Sequence, residues 1–160
     1  MTAPAEVLTI GYEGTTPDGL IAALKASGVR VLVDVRALAN SRKPGFAKGA
    51  LSASLEAAGI GYLHLRALGT PAEGRAAVRS GRPAEMRRIF AKHLAGTEAQ
   101  AALANLSDLA RRQRVCLLCL EADPRHCHRT LVAEAVGLPV THLSPGIPIG
   151  HGSSRPPGST

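Results

Sequence analysis

The stretch Val115-Cys116-Leu117-Leu118-Cys119-Leu120-Glu121-Ala122-Asp123-Pro124-Arg125-His126-Cys127-His128-Arg129 decides the fold. An apolar run enters it and a helical pattern leaves it, so it reads as a strand over 115–120, a short loop, and a helix over 127–136. It also holds all three cysteines of the chain, together with two carboxylates and several cations. Whatever chemistry the protein performs is expected to be performed or supported there.

The same alternation extends outward in both directions. Val7–Ile10 is a short β-branched run closed by Gly11, and Val31–Val35 is apolar on both faces, as in a buried parallel strand. Tyr62–Leu65 and Pro139–Leu143 complete five expected strands. Between them, Thr16 caps a helix that Gly28 stops. Further helices are expected over 51–58, 84–94 and 97–112, the last opening with a cap at Thr97. Residues 37–48 read as a basic loop carrying Arg42 and Lys43, and 66–83 as a long polar connection. Strands alternating with helices predict an α/β fold: a three-layer domain with a mainly parallel five-stranded sheet flanked by helices. One domain is expected over 1–143, followed by a disordered Pro/Gly/Ser-rich tail over 144–160.

Bulk composition bounds the function. A chain of 160 residues can bury a core without disulfides or metal staples. Only 2% of residues are aromatic, which leaves little for a base-stacking platform. The net charge of +7 invites a polyanion partner, although an Ala/Gly/Arg-rich chain can owe that charge to genome composition. No apolar stretch approaches the ~20 residues needed to span a bilayer. The odd cysteine count, with no signal-like N-terminus, points to the cytoplasm and to reduced thiols.

In parallel sheets ligands bind beyond the carboxyl ends of the strands. That rule selects Gly11, Tyr12 and Glu13 after the first strand, Arg36 after the second, and Glu121 to Arg129 after the fourth. These exits share a crevice if the fourth strand pairs with the first on the side away from the second. Asp34 inside an apolar strand is costly unless paired, so it either anchors a neighbour or serves as a functional carboxylate. Cys116 and Cys119, three apart on a strand, point to opposite faces and cannot share a zinc ion. Cys116 reads as core, while Cys119 shares a face with Glu121. Cys127 at a helix N-terminus, flanked by His126, His128, Arg125 and Arg129, sits where a thiol is acidified and anions are held.

Several of these pieces, taken in order, resemble the domain of unknown function 488 family. They are Thr9-Ile10-Gly11-Tyr12, Leu32-Val33-Asp34-Val35-Arg36 with Ser41-Arg42 and Phe46, and Gly59-Ile60-Gly61-Tyr62 with Leu68-Gly69. Cys119-x-Glu121 with Pro124-x-x-Cys127-His128-Arg129 closes the series. The resemblance covers most of residues 7–143 and implies a cytosolic α/β domain. It groups Gly11, Asp34, Arg36, Glu121, Cys127, His128 and Arg129 as one site without supplying their roles. Glu13 departs from the family's usual small residue and is not carried over.

The expected function is a pocket for an anion, a nucleotide or nucleic-acid phosphate, at the C-terminal edge of the sheet. Arg36, His128 and Arg129 would contact it, with Gly11, Tyr12 and Arg42 beside them and Asp34 and Glu121 positioning the cations. If the chain is an enzyme, Glu121 or His128 would act as general acid or base, or Cys127 as nucleophile. One alternative is a thiol-dependent enzyme of the rhodanese or phosphatase type using Cys127, although His-Arg-Thr-Leu-Val after it is not a Gly-rich cradle. A structural zinc protein is the other. No metal or cofactor is expected, and oligomeric state is not readable.

Overall fold

The computed structural model describes residues 5–121 and 127–145. Its elements run β1 (Val7–Gly11), α1 (Pro17–Ala26), β2 (Val31–Asp34), α2 (Lys48–Ala57) and β3 (Gly61–His64). A 3₁₀ turn (Arg66–Leu68) follows, then α3 (Ala72–Arg79), α4 (Pro83–Leu94), α5 (Thr97–Arg112), β4 (Val115–Cys119), α6 (His128–Val136) and β5 (Val140–Leu143). Residues 122–126 and 146–160 lie outside the described residues, and with them Arg125, His126 and nearly all of the expected tail.

All four strand pairings are parallel, in the order β3-β2-β4-β1-β5. The α/β three-layer expectation therefore holds, but the entertained strand order does not. β4 lies between β1 and β2 and pairs with both. The reason is burial: all five residues of β4 are buried, and a strand apolar on both faces is stable at the sheet centre. This position still brings the exits of β1, β2 and β4 together, side by side.

The two-residue alternation sorts the core into two clusters. Leu8, Ile10, Leu32, Cys116 and Leu118 pack against Leu20 and Leu24 of α1 and Leu51 and Leu55 of α2. Val7, Val33, Leu117 and Cys119 pack on the opposite face with Phe90 of α4, Leu106 of α5 and Val132 of α6. The helix starts follow local chemistry. Thr16 accepts from the Gly19 amide at 3.0 Å, and Pro17 opens α1. Gly28, just past the Ser27 cap, has a φ of +71°, a backbone conformation that suits glycine.

Three expectations require correction. The polar connection over 66–83 contains the 3₁₀ turn and α3. Its polar sequence hides a helix that buries only Gly74 and Ala77. Gly96, not Thr97, occupies the N-cap of α5, and Thr97 is its first helical residue. Cys127 is the N-cap of α6, with the helix beginning at His128. No helix among the described residues is long and apolar enough to cross a membrane.

Candidate functional site

Asp34 ends β2 with a fully buried side chain. Its carboxylate accepts Arg36 Nε at 2.8 Å, Arg36 Nη2 at 2.6 Å, the Arg36 amide at 3.1 Å and Tyr62 Oη at 2.6 Å. Arg36 Nη1 donates to Phe46 O at 2.7 Å and to Tyr12 Oη at 3.4 Å. The Tyr12 and Phe46 rings stack with centroids 4.5 Å apart. Burial alone would lower the Arg36 guanidinium pKa; the bidentate Asp34 carboxylate reverses this and raises it. Burial and the same carboxylate push the Tyr62 phenol up. The group ties the loop after β2 to β1 and β3, and every nitrogen of the Arg36 fork has a protein acceptor.

A second cluster forms where β4 meets α6. Cys119 projects toward the α6 layer because β4 alternates, and Cys127 caps α6 immediately above it. Their sulfurs are joined as a disulfide, with Cα atoms 7.2 Å apart. This corrects the expectation of wholly reduced cysteines, which rested on compartment and count, because proximity across the strand–helix junction was not visible in either. Cys116 is the free thiol, on the opposite face of the sheet, where burial raises its pKa. The zinc set built from Cys116 and Cys119 is excluded by that same alternation.

Arg129 lies fully buried beneath the pair. Its Nη1 donates to Cys119 Sγ at 3.3 Å and to the Glu121 carbonyl, and its amide donates to Cys127 Sγ at 3.5 Å. His128 Nε2 donates to Val35 O at 2.6 Å, leaving Nδ1 turned to Cys127 Sγ at 3.8 Å. Burial, with help from the Arg129 charge, pushes the imidazole down to about 4, so it is neutral at pH 7. Cys119 Sγ, Cys127 Sγ and a His128 ring nitrogen lie within 4.8 Å of one another; reduced, they would be a three-donor set for a soft divalent metal.

A cavity of about 360 Å³ opens above the C-terminal ends of β1, β2 and β4. Tyr12, Arg36, Cys119, Glu121 and His128 line its strand side. Arg75, Val78 and Arg79 of α3, with Met86 of α4, line the facing side. Arg75 donates to Thr70 O at 2.8 Å, and Arg79 is exposed at the mouth. Three arginines and one carboxylate, Glu121, line the cavity, and the charge of one of those arginines, Arg36, is offset by the buried Asp34.

The cavity gathers four of the expected site residues (Tyr12, Arg36, Glu121 and His128) and leaves the others around or away from it. Asp34, Cys127 and Arg129 sit behind the lining as buried supports, and Gly11 is buried at the end of β1. Arg42 is exposed outside the lining, and Lys43 donates to Tyr12 O at 3.3 Å. Sequence reasoning missed Arg75 and Arg79. Their four-residue spacing, which places both on one helical face, was the available signal.

Gly69 shapes the entry to α3. A Cβ there would stand 2.3 Å from the Ala37 backbone, so only glycine lets this turn pass the loop after β2 so closely.

Fold and cavity define a parallel α/β domain with an arginine-walled cleft at the carboxyl ends of its central strands. The chain belongs to the family described as Domain of unknown function DUF488, whose model matches residues 16–136. No curated protein and no solved structure matches the chain.

Proposed function

We propose that the cavity binds a small anionic ligand carrying a phosphate group, of about nucleotide size. The observation that supports this reading is the pairing of Arg75 and Arg79 on one face of α3, across the cleft from the strand ends. Arg36, on the strand side of the cleft, is held by Asp34, which offsets its charge, so it shapes the wall more than it attracts the ligand. A volume of about 360 Å³ fits a nucleotide-sized molecule rather than a nucleic-acid groove. Arg42, exposed outside the lining, is the residue a longer polyanion would reach in this reading.

In this reading the single domain over 1–143 is the functional unit, working in the cytoplasm, where such ligands abound. His128, neutral at pH 7, lines the wall without adding charge, and Glu121 orients what the arginines bind. Two-dimensional NMR of the full chain tests the reading, with inorganic phosphate and AMP as probes. Shifts should concentrate at the Arg75 and Arg79 side chains and at Glu121. Shifts confined to Arg42 and Lys43, or none at tens of millimolar probe, would refute it.

A further inference from the structure

We propose that Cys119 and Cys127 are an exchange-active dithiol/disulfide couple that opens on the cavity and reacts with small disulfides bearing carboxylates. Three features converge on this pair. The sulfurs meet across the β4–α6 junction. Cys119 lines the cavity and Cys127 does not, which separates an attacking from a resolving thiol. Both reduced sulfurs would sit beside groups that favour thiolate: Arg129 Nη1 at 3.3 Å from Cys119, and the first-turn amide of α6 at 3.5 Å from Cys127. The preference for carboxylates rests on the anion-binding reading of Arg75 and Arg79; the exchange itself does not.

The step balances without a further oxidant. Cys119 thiolate attacks one sulfur of the small disulfide, forming a mixed disulfide and expelling one thiolate. Cys127 thiolate then attacks Cys119 Sγ, closing the protein disulfide and expelling the second. Two protein thiols are oxidised, one small disulfide is reduced to two thiols, and the cysteine protons pass to the leaving groups. Run backward with excess small thiol, the same route opens the pair, so a reducing compartment holds the couple mostly as the dithiol. The segment joining the two cysteines carries Glu121, so the state of the couple bears directly on the cavity wall.

The test mixes the reduced full chain with oxidised glutathione or with the uncharged hydroxyethyl disulfide, then acid-quenches, alkylates and maps the adducts by mass. Cys119 and Cys127 should lose alkylation together, Cys127→Ser should trap glutathione on Cys119, and Cys116 should stay unmodified. Glutathione disulfide should react about tenfold faster than the uncharged probe, through attraction by the cationic wall. The Arg75→Ala/Arg79→Ala pair should remove that difference. Equal rates in the wild-type chain would overturn the substrate class and count against the anion pocket. The couple itself is overturned if neither disulfide reacts, if Cys119 and Cys127 oxidise independently, or if stoichiometric zinc on the reduced chain blocks both thiols. The wild-type measurement does not depend on whether the serine variant folds.

Discussion

Acidification below pH 6.5 should destabilise this protein through His128. The imidazole is 8% exposed, donates through Nε2 to Val35 O, and has its pKa held down to about 4 from 6.5. Between those values the unfolded chain binds a proton that the folded chain refuses, so stability rises with pH across this window. The contribution is complete above pH 6.5 and is lost as pH falls toward 4. At ~1.4 kcal/mol per factor of ten, the full loss is about 3 kcal/mol. His142, also lowered by burial, adds a smaller loss of the same sign, and Glu6, lowered by its bond to Thr141 and by Arg114, acts below its ordinary 4.5. Urea unfolding at half-unit steps from pH 7.5 to 4 measures the slope. In His128→Gln, whose amide can still donate to Val35 O, most of that slope should vanish. An unchanged slope in the variant would refute the assignment to His128.

Other perturbations follow from the same geometry. Asp34→Asn leaves the buried Arg36 guanidinium without its counter-charge and should cost about 3–5 kcal/mol in chemical denaturation. Loss below 1 kcal/mol would show that the pair is not the anchor described. Gly69→Ala drives a methyl into the Ala37 backbone and should cost about 1–3 kcal/mol, with a matching fall in ligand affinity. Calorimetric melting and a phosphate titration read both effects; a neutral substitution would contradict the close approach. Arg79→Ala, at an exposed helix position, should leave stability within about 0.5 kcal/mol while weakening phosphate binding about tenfold.

What the sequence disclosed and what it concealed separate along physical lines. β2 and β4 were legible because runs apolar on both faces have few alternatives to a buried parallel strand. The Asp34–Arg36 pairing was half-legible: a carboxylate in an apolar strand demanded a partner, but only the structure shows Tyr62 and Phe46 completing the cluster. Strand order was not legible, since no local signal says that β4 inserts between β1 and β2. α3 was hidden by its polar composition and by Gly74, a poor helix former, which sits there because a Cβ would meet Thr70 Cγ2 at 2.5 Å. With α3 hidden inside a connection read only as polar, its two cavity arginines were passed over. The Cys119–Cys127 pairing joins a strand end to a helix N-cap, and an eight-residue spacing alone does not specify that the two meet.

Isothermal titration of the full chain with AMP, at low and moderate salt, tests the central claim most directly. Saturable one-to-one binding that weakens as salt rises, and that is lost in the Arg75→Ala/Arg79→Ala variant while the fold persists, is the predicted result. Absence of binding, or binding undiminished in that variant, would contradict an anion site in this cleft.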